Sequence, residues 1–528
     1  MRGAGTDLLR KCFAKVKYRI GLDFFSGGNH ILSDTIRPQV HKVTKGKIRQ
    51  VGKKLSRRNF LLGTAGATAG VAVTGLKGTS PLADVDPKTG RMRGKIPVRP
   101  PTLIVENKAE LPPRRGLRAV VVGGGWGGLT IAKHLKLRVP EMEVVLIERR
   151  SMFMSCPISN LWLADLVDFN FITHSFVDAS RNNNYHFFQA TVLDVDREKQ
   201  IVYTEQGWMD YDYLILSPGI DYDYGAIGVH DNEERFELMR RFPAAFKPGS
   251  EHITLKQKVD NFEKGLFVLT VPSGNYRCLP APYERTCMIA SVFKRKKIPA
   301  KVLLLDHNHD IKIKGEGFHN AFNELYKDYV EYVPSVSLVK VDLDRKSVSD
   351  EFDEYQFDDA AIYPRIRGAR LIEHLGLLQD SSPQFEARID MHRNNIHDDE
   401  RVYVIGDSRS TGWSKSGSTA QAEARYVAKV IANRIQGIEI PWESPDTTCY
   451  SMVGAEPMEA IYFGSKYLPP QSAGTAMDNE RFRDYWIDTG AAFAWRDRNM
   501  SRSAEMGQEM IGWALTHYAE MFQSAEHF

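Results

Sequence analysis

An α/β fold built on parallel sheets is predicted by three observations. Ala119-Val120-Val121-Val122 is a short apolar run, followed at once by Gly123-Gly124-Gly125-Trp126-Gly127-Gly128 and a helical stretch. A second run, Glu143-Val144-Val145-Leu146-Ile147, ends on an acid, Glu148, twenty residues after Gly128. Runs of the same kind recur at Tyr213-Leu214-Ile215-Leu216, Leu266-Phe267-Val268-Leu269-Thr270-Val271 and Val402-Tyr403-Val404-Ile405. Short, wholly apolar runs separated by helical stretches suit parallel strands buried on both faces. The expected architecture is two Rossmann-like, dinucleotide-binding-type domains, the first interrupted by insertion of the second, plus a smaller C-terminal domain.

Composition narrows the class. The chain has 528 residues, 42% hydrophobic and 26% charged, which excludes a wholly disordered, collagenous or polytopic membrane protein. Its net charge of +4 hides two opposed regions. Residues 1–83 hold 16 Lys+Arg and 3 Asp+Glu, which leaves 54 against 63, a net −9, for the remainder. Because the body is acidic, no nucleic-acid partner is expected. Within the basic leader, Ser56-Arg57-Arg58-Asn59-Phe60-Leu61-Leu62 and the Ala/Gly-rich run to Val73 form a twin-arginine export pattern. That pattern predicts a periplasmic protein that folds before export. The expected boundaries are 1–83 for extension and signal, and 84–116 for a Pro- and Arg-rich linker or surface arm without a core pattern. Residues 117–235 and 366–438 form the two parts of the first dinucleotide domain, 236–365 the inserted domain and 439–528 the C-terminal domain.

The glycines after the first run have separate tasks. Gly123 permits the tight turn, Gly125 lets the backbone approach a pyrophosphate, and Gly128 lets the helix pack closely on the strand. Glu148 is spaced to hydrogen-bond ribose hydroxyls. Much later, Val404-Ile405 leads into Gly406-Asp407, with Lys415-Ser416-Gly417 close behind. A strand ending in Gly-Asp is similar to that of two-domain flavoproteins, whose Asp contacts the ribityl-phosphate region of FAD. FAD is therefore the expected cofactor, with Asp407 and Lys415 added to its binding residues.

A second phosphate cradle is missing from the inserted domain. Its first strand runs into Pro272-Ser273-Gly274-Asn275-Tyr276-Arg277-Cys278-Leu279-Pro280-Ala281-Pro282-Tyr283-Glu284-Arg285. Proline supplies no N–H to a phosphate, so NAD(P)H is not an expected partner.

Several segments together resemble the flavoprotein subunit of flavocytochrome c sulfide dehydrogenase, from about Leu117 to the C-terminus. They are the Gly123-Gly124-Gly125 loop, Ser155-Cys156-Pro157-Ile158-Ser159-Asn160, the Tyr276 to Arg285 element, Val404-Ile405-Gly406-Asp407, Lys415-Ser416-Gly417 and Thr448-Cys449-Tyr450-Ser451. The resemblance implies a thioether from Cys156 to the flavin and a redox-active disulfide between Cys278 and Cys449 beside it. Here Ser-Cys-Pro stands for the family's Thr-Cys-Tyr, Pro280-Ala281-Pro282 for its Pro-Gly-Pro, and the tail from Pro469 to Ser503 is longer. By residues alone, Cys278 and Cys449 lie 171 positions apart. The alternatives to a redox-active pair are a structural bridge worth about 4–5 kcal/mol and two buried thiols. Cys12 lies in the leader, and Cys287 is expected as a packed thiol.

The implied activity is FAD-dependent oxidation of sulfide to sulfur or polysulfide. Cys278 and Cys449 are its catalytic pair, and Glu284 is the candidate proton acceptor. Trp513 is a candidate cover for the site, or core packing. No Cys-x-x-Cys-His is present, so a separate c-type cytochrome subunit is the implied electron acceptor. Two alternatives remain: a sulfide:quinone reductase-like enzyme, and a flavoprotein binding partner without turnover. The apolar spacing of Met506, Met510, Ala514, Tyr518 and Phe522 is read as a packed or partner-facing helix.

Overall fold

A computed structural model of the chain describes residues 48–50, 98–379, 382–390, 392–396, 399–438, 440–467 and 493–524. The twin-arginine segment, Cys12 and tail residues 468–492 lie outside them. The described residues belong to one compact unit that starts at Gly46.

Along the chain, β1 (Arg118–Val122) and α1 (Trp126–Arg138) precede β2 (Glu143–Glu148), β3 (His186–Gln189) and β4 (Tyr213–Leu216). The inserted part holds β5 (Gly265–Val271), α2 (Ala281–Lys296), β6 (Ala300–Asp306), β7 (Val330–Val333) and β8 (Asp359–Ala361). The chain returns through β9 (Asn395–Ile396), β10 (Asp399–Val404) and α3 (Gly417–Ile435). It ends with β11 (Asp446–Ala455), β12 (Met458–Tyr467), β13 (Phe493–Ser503) and α4 (Ala504–Phe522).

The first sheet has the order β9-β10-β4-β1-β2-β3, parallel except where β9 meets β10. Alternation explains why its strands read as continuous apolar runs. Ala119 and Val121 join one buried cluster while Val120 and Val122 join another, so both faces are covered. Helices α1 and α3 lie against each other. The second sheet, β7-β6-β5-β8, is parallel throughout, as expected for the inserted domain. The last three strands form an antiparallel meander with α4 against β12 and α2 against β11. An α/β fold with parallel sheets and a small C-terminal unit is what the chain adopts.

Two features depart from the sequence reading. An antiparallel ribbon pairs Ile220–Asp223 with Arg365–Gly368, where the chain leaves and re-enters the first domain. This ribbon spans the expected 365/366 boundary, and the helix Asn232–Arg241 spans 235/236. The arm before Leu117 is also more than a linker. Asp194 accepts from Thr102 N at 2.7 Å, Leu103 N at 3.2 Å and Arg99 Nη2 at 2.8 Å. Val105 and Ala109 are buried. Single apolar residues held by side-chain hydrogen bonds leave no periodic trace.

The apolar stripe of α4 faces inward: Met510, Ala514, Tyr518 and Phe522 are buried. Among the described residues no helix is long and apolar enough to cross a membrane.

Candidate active site

The carboxyl ends of β1, β2, β4 and β10 meet in one place. Gly123 N donates to Ile147 O at 2.8 Å, Ser217 N to Val122 O at 2.8 Å, and Ile405 N to Leu216 O at 3.0 Å. Ligands of open α/β sheets bind at such edges, and a cavity of about 380 Å³ opens here.

At one end it is walled by the glycine loop. Gly123 has φ +103°, and a Cβ there would stand 2.3 Å from Ser217 O. A Cβ on Gly128 would stand 1.8 Å from Gly123 O, so the helix could not seat itself. Gly125 has nothing within 4 Å of where its Cβ would be. Its backbone therefore fronts open space at the start of α1. That helix start has no side-chain cap and no acid in its first turn, which leaves N–H groups and a positive dipole end for a pyrophosphate. Trp126 Nε1 is buried without a hydrogen-bond partner, and its ring borders the same cavity. Glu148 accepts from Gly124 N at 2.8 Å and from Arg150 Nε at 3.0 Å. Burial works to raise its carboxyl, but Arg150 and the two backbone donors outweigh burial and hold it low. These residues fit FAD.

Asp407 borders the cavity and accepts from Arg277 Nε at 2.6 Å. Behind it, Gly406 N donates to Glu423 Oε2 at 2.8 Å, and Glu423 pairs with Arg409 at 2.5 Å, both fully buried. Lys415 does not reach the cavity wall. Its ammonium is buried against Glu386 and the Asp407 carbonyl, the latter at 2.8 Å. It anchors the Asp407 backbone from behind the cavity, and nothing in Lys-Ser-Gly announces the distant partner Glu386.

At the other end stand Cys156, Cys278, Cys449 and Glu284. Cys156 Sγ donates to Phe246 O at 3.3 Å and lies 3.6 Å from His252 Nε2. Burial pushes the Cys156 thiol up, opposed by Arg277 and Arg285. Cys278 has φ +56°, a left-handed conformation that costs a non-glycine residue about 1–2 kcal/mol. Two bonds hold it there: its N–H donates to Lys415 O at 2.8 Å, and its carbonyl accepts from Ala281 N at 2.8 Å. This turn places Cys278 on the cavity wall just before α2. Cys449 arrives on β11, and both cysteines are free thiols in this structure.

Glu284 lies in the first turn of α2 and is buried. It accepts from Asn160 Nδ2 at 2.7 Å and from Met452 N at 2.8 Å. Burial raises its carboxyl more than these donors lower it, which suits a group that takes up a proton. Arg285 in turn donates to Asn160 Oδ1 at 3.0 Å. Trp513 borders the cavity and stacks on Trp126 at 5.8 Å. Cys287, by contrast, is fully buried within α2 and does not line the cavity.

Two buried groups escaped sequence reasoning. Lys314, from the loop before helix Gly315–Glu324, donates to Cys449 O at 2.9 Å. His252 lies beside Cys156; burial first, then Arg285, lowers its imidazole to about 3. Neither sits in a motif, and each meets its cysteine only through the tertiary fold.

Comparisons with known proteins bear on the family and the fold. Residues 253–364 match the family model described as sulfide dehydrogenase [flavocytochrome c] flavoprotein chain, central. Residues 117–247 match that of pyridine nucleotide-disulphide oxidoreductase. A 43-residue stretch is 49% identical to the sulfide dehydrogenase [flavocytochrome c] flavoprotein chain of Chlorobaculum thiosulfatiphilum, covering 8% of this chain and 90% of the relative. The sulfide-quinone reductase of Aquifex aeolicus (strain VF5) is 28% identical over 114 residues, 21% of this chain and only 26% of the relative. The solved sulfide:quinone oxidoreductase of Aquifex aeolicus superposes with a TM-score of 0.59 at 15% identity, over 77% of this chain and 92% of that one. That likeness speaks for the fold. With the central-domain model falling on the very segment that carries Cys278 and Glu284, the chain belongs to the flavoprotein chains of flavocytochrome c sulfide dehydrogenase.

Proposed function

We propose that this protein oxidises hydrosulfide with FAD, through a bridge between Cys278 and Cys449, and passes the electrons to a c-type cytochrome subunit. What supports this most is one observation: Cys156, Cys278, Glu284 and Cys449, from distant parts of the chain, border the same cavity as Gly125 and Asp407. Gly123, Gly125 and the start of α1 would hold the pyrophosphate of FAD, Glu148 its ribose, and Asp407 the ribityl-phosphate region. Cys156 would bind it covalently as a thioether. When bound, FAD accepts electrons in pairs and releases them singly, as a one-electron haem partner requires.

The chain's own residues perform the sulfur chemistry. Hydrosulfide attacks one sulfur of the Cys278–Cys449 bridge; the new S–S bond makes a persulfide, and the other sulfur leaves as thiolate. Glu284, kept basic enough by burial, takes the persulfide proton on a carboxylate oxygen. NAD(P)H has no place in this scheme. Where a nucleotide reductase needs bare N–H groups, α2 begins with Pro280 as cap, Pro282 in its first turn and the buried Glu284 carboxylate. Export by the twin-arginine route would bring the folded flavoprotein to the oxidising periplasm, where a disulfide persists.

The decisive experiment compares wild type with Cys449→Ser under anaerobic conditions. Sulfide should bleach the wild-type flavin and then reduce added cytochrome c. The variant should keep its flavin yet lose that reduction. Equal bleaching in both would remove the bridge from the mechanism, and reduction of a soluble quinone but not of cytochrome c would favour a quinone reductase.

A further inference from the structure

Resting on that reading is a second question: which sulfur hydrosulfide attacks. Both cysteines border the large cavity and also a second one of about 30 Å³, whose wall mixes hydroxyls such as Ser416 and Thr447 with apolar groups such as Ile313 and Phe463. That volume suits a species the size of one water. Access therefore does not choose between Cys278 and Cys449, but charge does.

Lys314 is 6% exposed. Its ammonium donates to Cys449 O at 2.9 Å, Ser451 Oγ at 2.9 Å and Ile461 O at 3.3 Å, so it is fixed against the backbone of Cys449 itself. None of these acceptors is a carboxylate. The nearby Glu284 has its two oxygens engaged by Asn160 and Met452. A buried cation without a paired anion is costly, and the fold has set this one beside one cysteine of the two. Cys278, in contrast, has its backbone N–H and carbonyl engaged by Lys415 O and Ala281 N, and Lys314 makes no hydrogen bond to it. Disulfide exchange runs fastest when the departing sulfur is the more stable thiolate, and a neighbouring ammonium stabilises a thiolate.

We propose that Lys314 makes Cys449 the leaving thiolate, so that hydrosulfide attacks Sγ of Cys278 and the persulfide forms there. The hydrosulfide sulfur supplies the electron pair of its new bond to Cys278. The Cys278–Cys449 bond breaks and its pair departs on Cys449, next to the ammonium. Sulfide is oxidised, the bridge is reduced, the persulfide proton passes to Glu284, and no other oxidant is needed. Lys314 is thus a positioning residue that completes its own ion pair only as the reaction proceeds.

Peptide mapping of the full-length flavoprotein tests this directly. Before sulfide, the Cys278 and Cys449 peptides should be disulfide-linked; after one equivalent of sodium sulfide and an N-ethylmaleimide quench, Cys449 should carry maleimide directly and Cys278 maleimide through one extra sulfur. The reverse pattern overturns the assignment. Peptides that are unlinked before sulfide overturn the bridge itself, and with it the proposed function. A second measurement follows Cys449 alkylation against pH in the dithiol form, where Lys314, Glu284 and Cys278 face that thiol. Lys314→Met should slow alkylation at neutral pH at least tenfold and Lys314→Arg should restore it. An unchanged profile in a variant with normal flavin content and Tm refutes the role of Lys314; should that variant not fold, the wild-type mapping still decides.

Discussion

At the scale of single residues, two glycines three positions apart should respond in opposite ways to the same methyl group. Gly128→Ala places Cβ 1.8 Å from a carbonyl oxygen, so the loop must open and flavin content should fall below detection. Gly125→Ala meets no atom within 4 Å, and its φ of −80° suits alanine. Its Tm without cofactor should stay within about 2 °C of the parent, while FAD affinity should fall if the methyl occupies the space proposed for the pyrophosphate. Glu284→Gln keeps the shape and one of the two accepted hydrogen bonds but takes no proton. Its rate of flavin reduction by sulfide should drop about 100-fold. The wild-type rate should fall as pH drops through the raised Glu284 pKa, and the variant should lack that acidic limb. A stopped-flow pH series on both proteins checks this.

Among elements, α4 has the most to explain, since it closes the cavity with Trp513 although it comes last in the chain. Apolar burial of Met510, Ala514 and Met521 seats it, and polar ties fix its register. Glu520 bonds His134 at 3.0 Å and Arg425 at 2.8 Å, on α1 and α3 respectively. Burial alone would raise the Glu520 carboxyl, but His134 and Arg425 outweigh it and bring it from 4.5 to about 2. A depressed carboxyl stabilises the fold fully above its unfolded value and loses that contribution as pH falls from about 4.5 towards 2. After allowance for screening, about 2 kcal/mol is at stake. Glu520→Gln should therefore increase hydrogen exchange of α4 at pH 7 and little at pH 2. Equal protection of α4 in parent and variant at pH 7 would show that apolar packing alone holds it.

Across the whole molecule, the cavity is a junction. The Gly123–Gly128 loop comes from the first sheet, Cys278 and Glu284 follow β5 of the inserted sheet, and Cys449 lies on the C-terminal meander. A ligand filling this junction ties all three parts together and should stabilise them jointly. Cys156→Ala protein stripped of flavin should gain about 2.7 kcal/mol when free FAD reaches 100 times its Kd. One shared calorimetric transition should move upward; if only the transition of one part shifts, the cofactor does not bridge the three.

The sequence by itself determined the parallel α/β architecture, because strands buried on both faces must be apolar at every position, as residues 119–122 are. It also determined the glycine loop with Glu148, a local chemistry with fixed spacing, whereas the Cys156 element and the segment from Tyr276 to Arg285 were legible only through their resemblance to a known family. Only the tertiary structure decided that Lys415 anchors the Asp407 backbone, that residues 98–116 are bound to the body through Asp194, and that Lys314 reaches Cys449 from 135 residues away. Each of these is a buried charge whose partner is remote along the chain. Burial makes a hydrogen-bonding partner obligatory, because an ion inside the protein with no partner at all is too costly to keep, but periodicity and motif spacing carry no information about which distant segment will supply it.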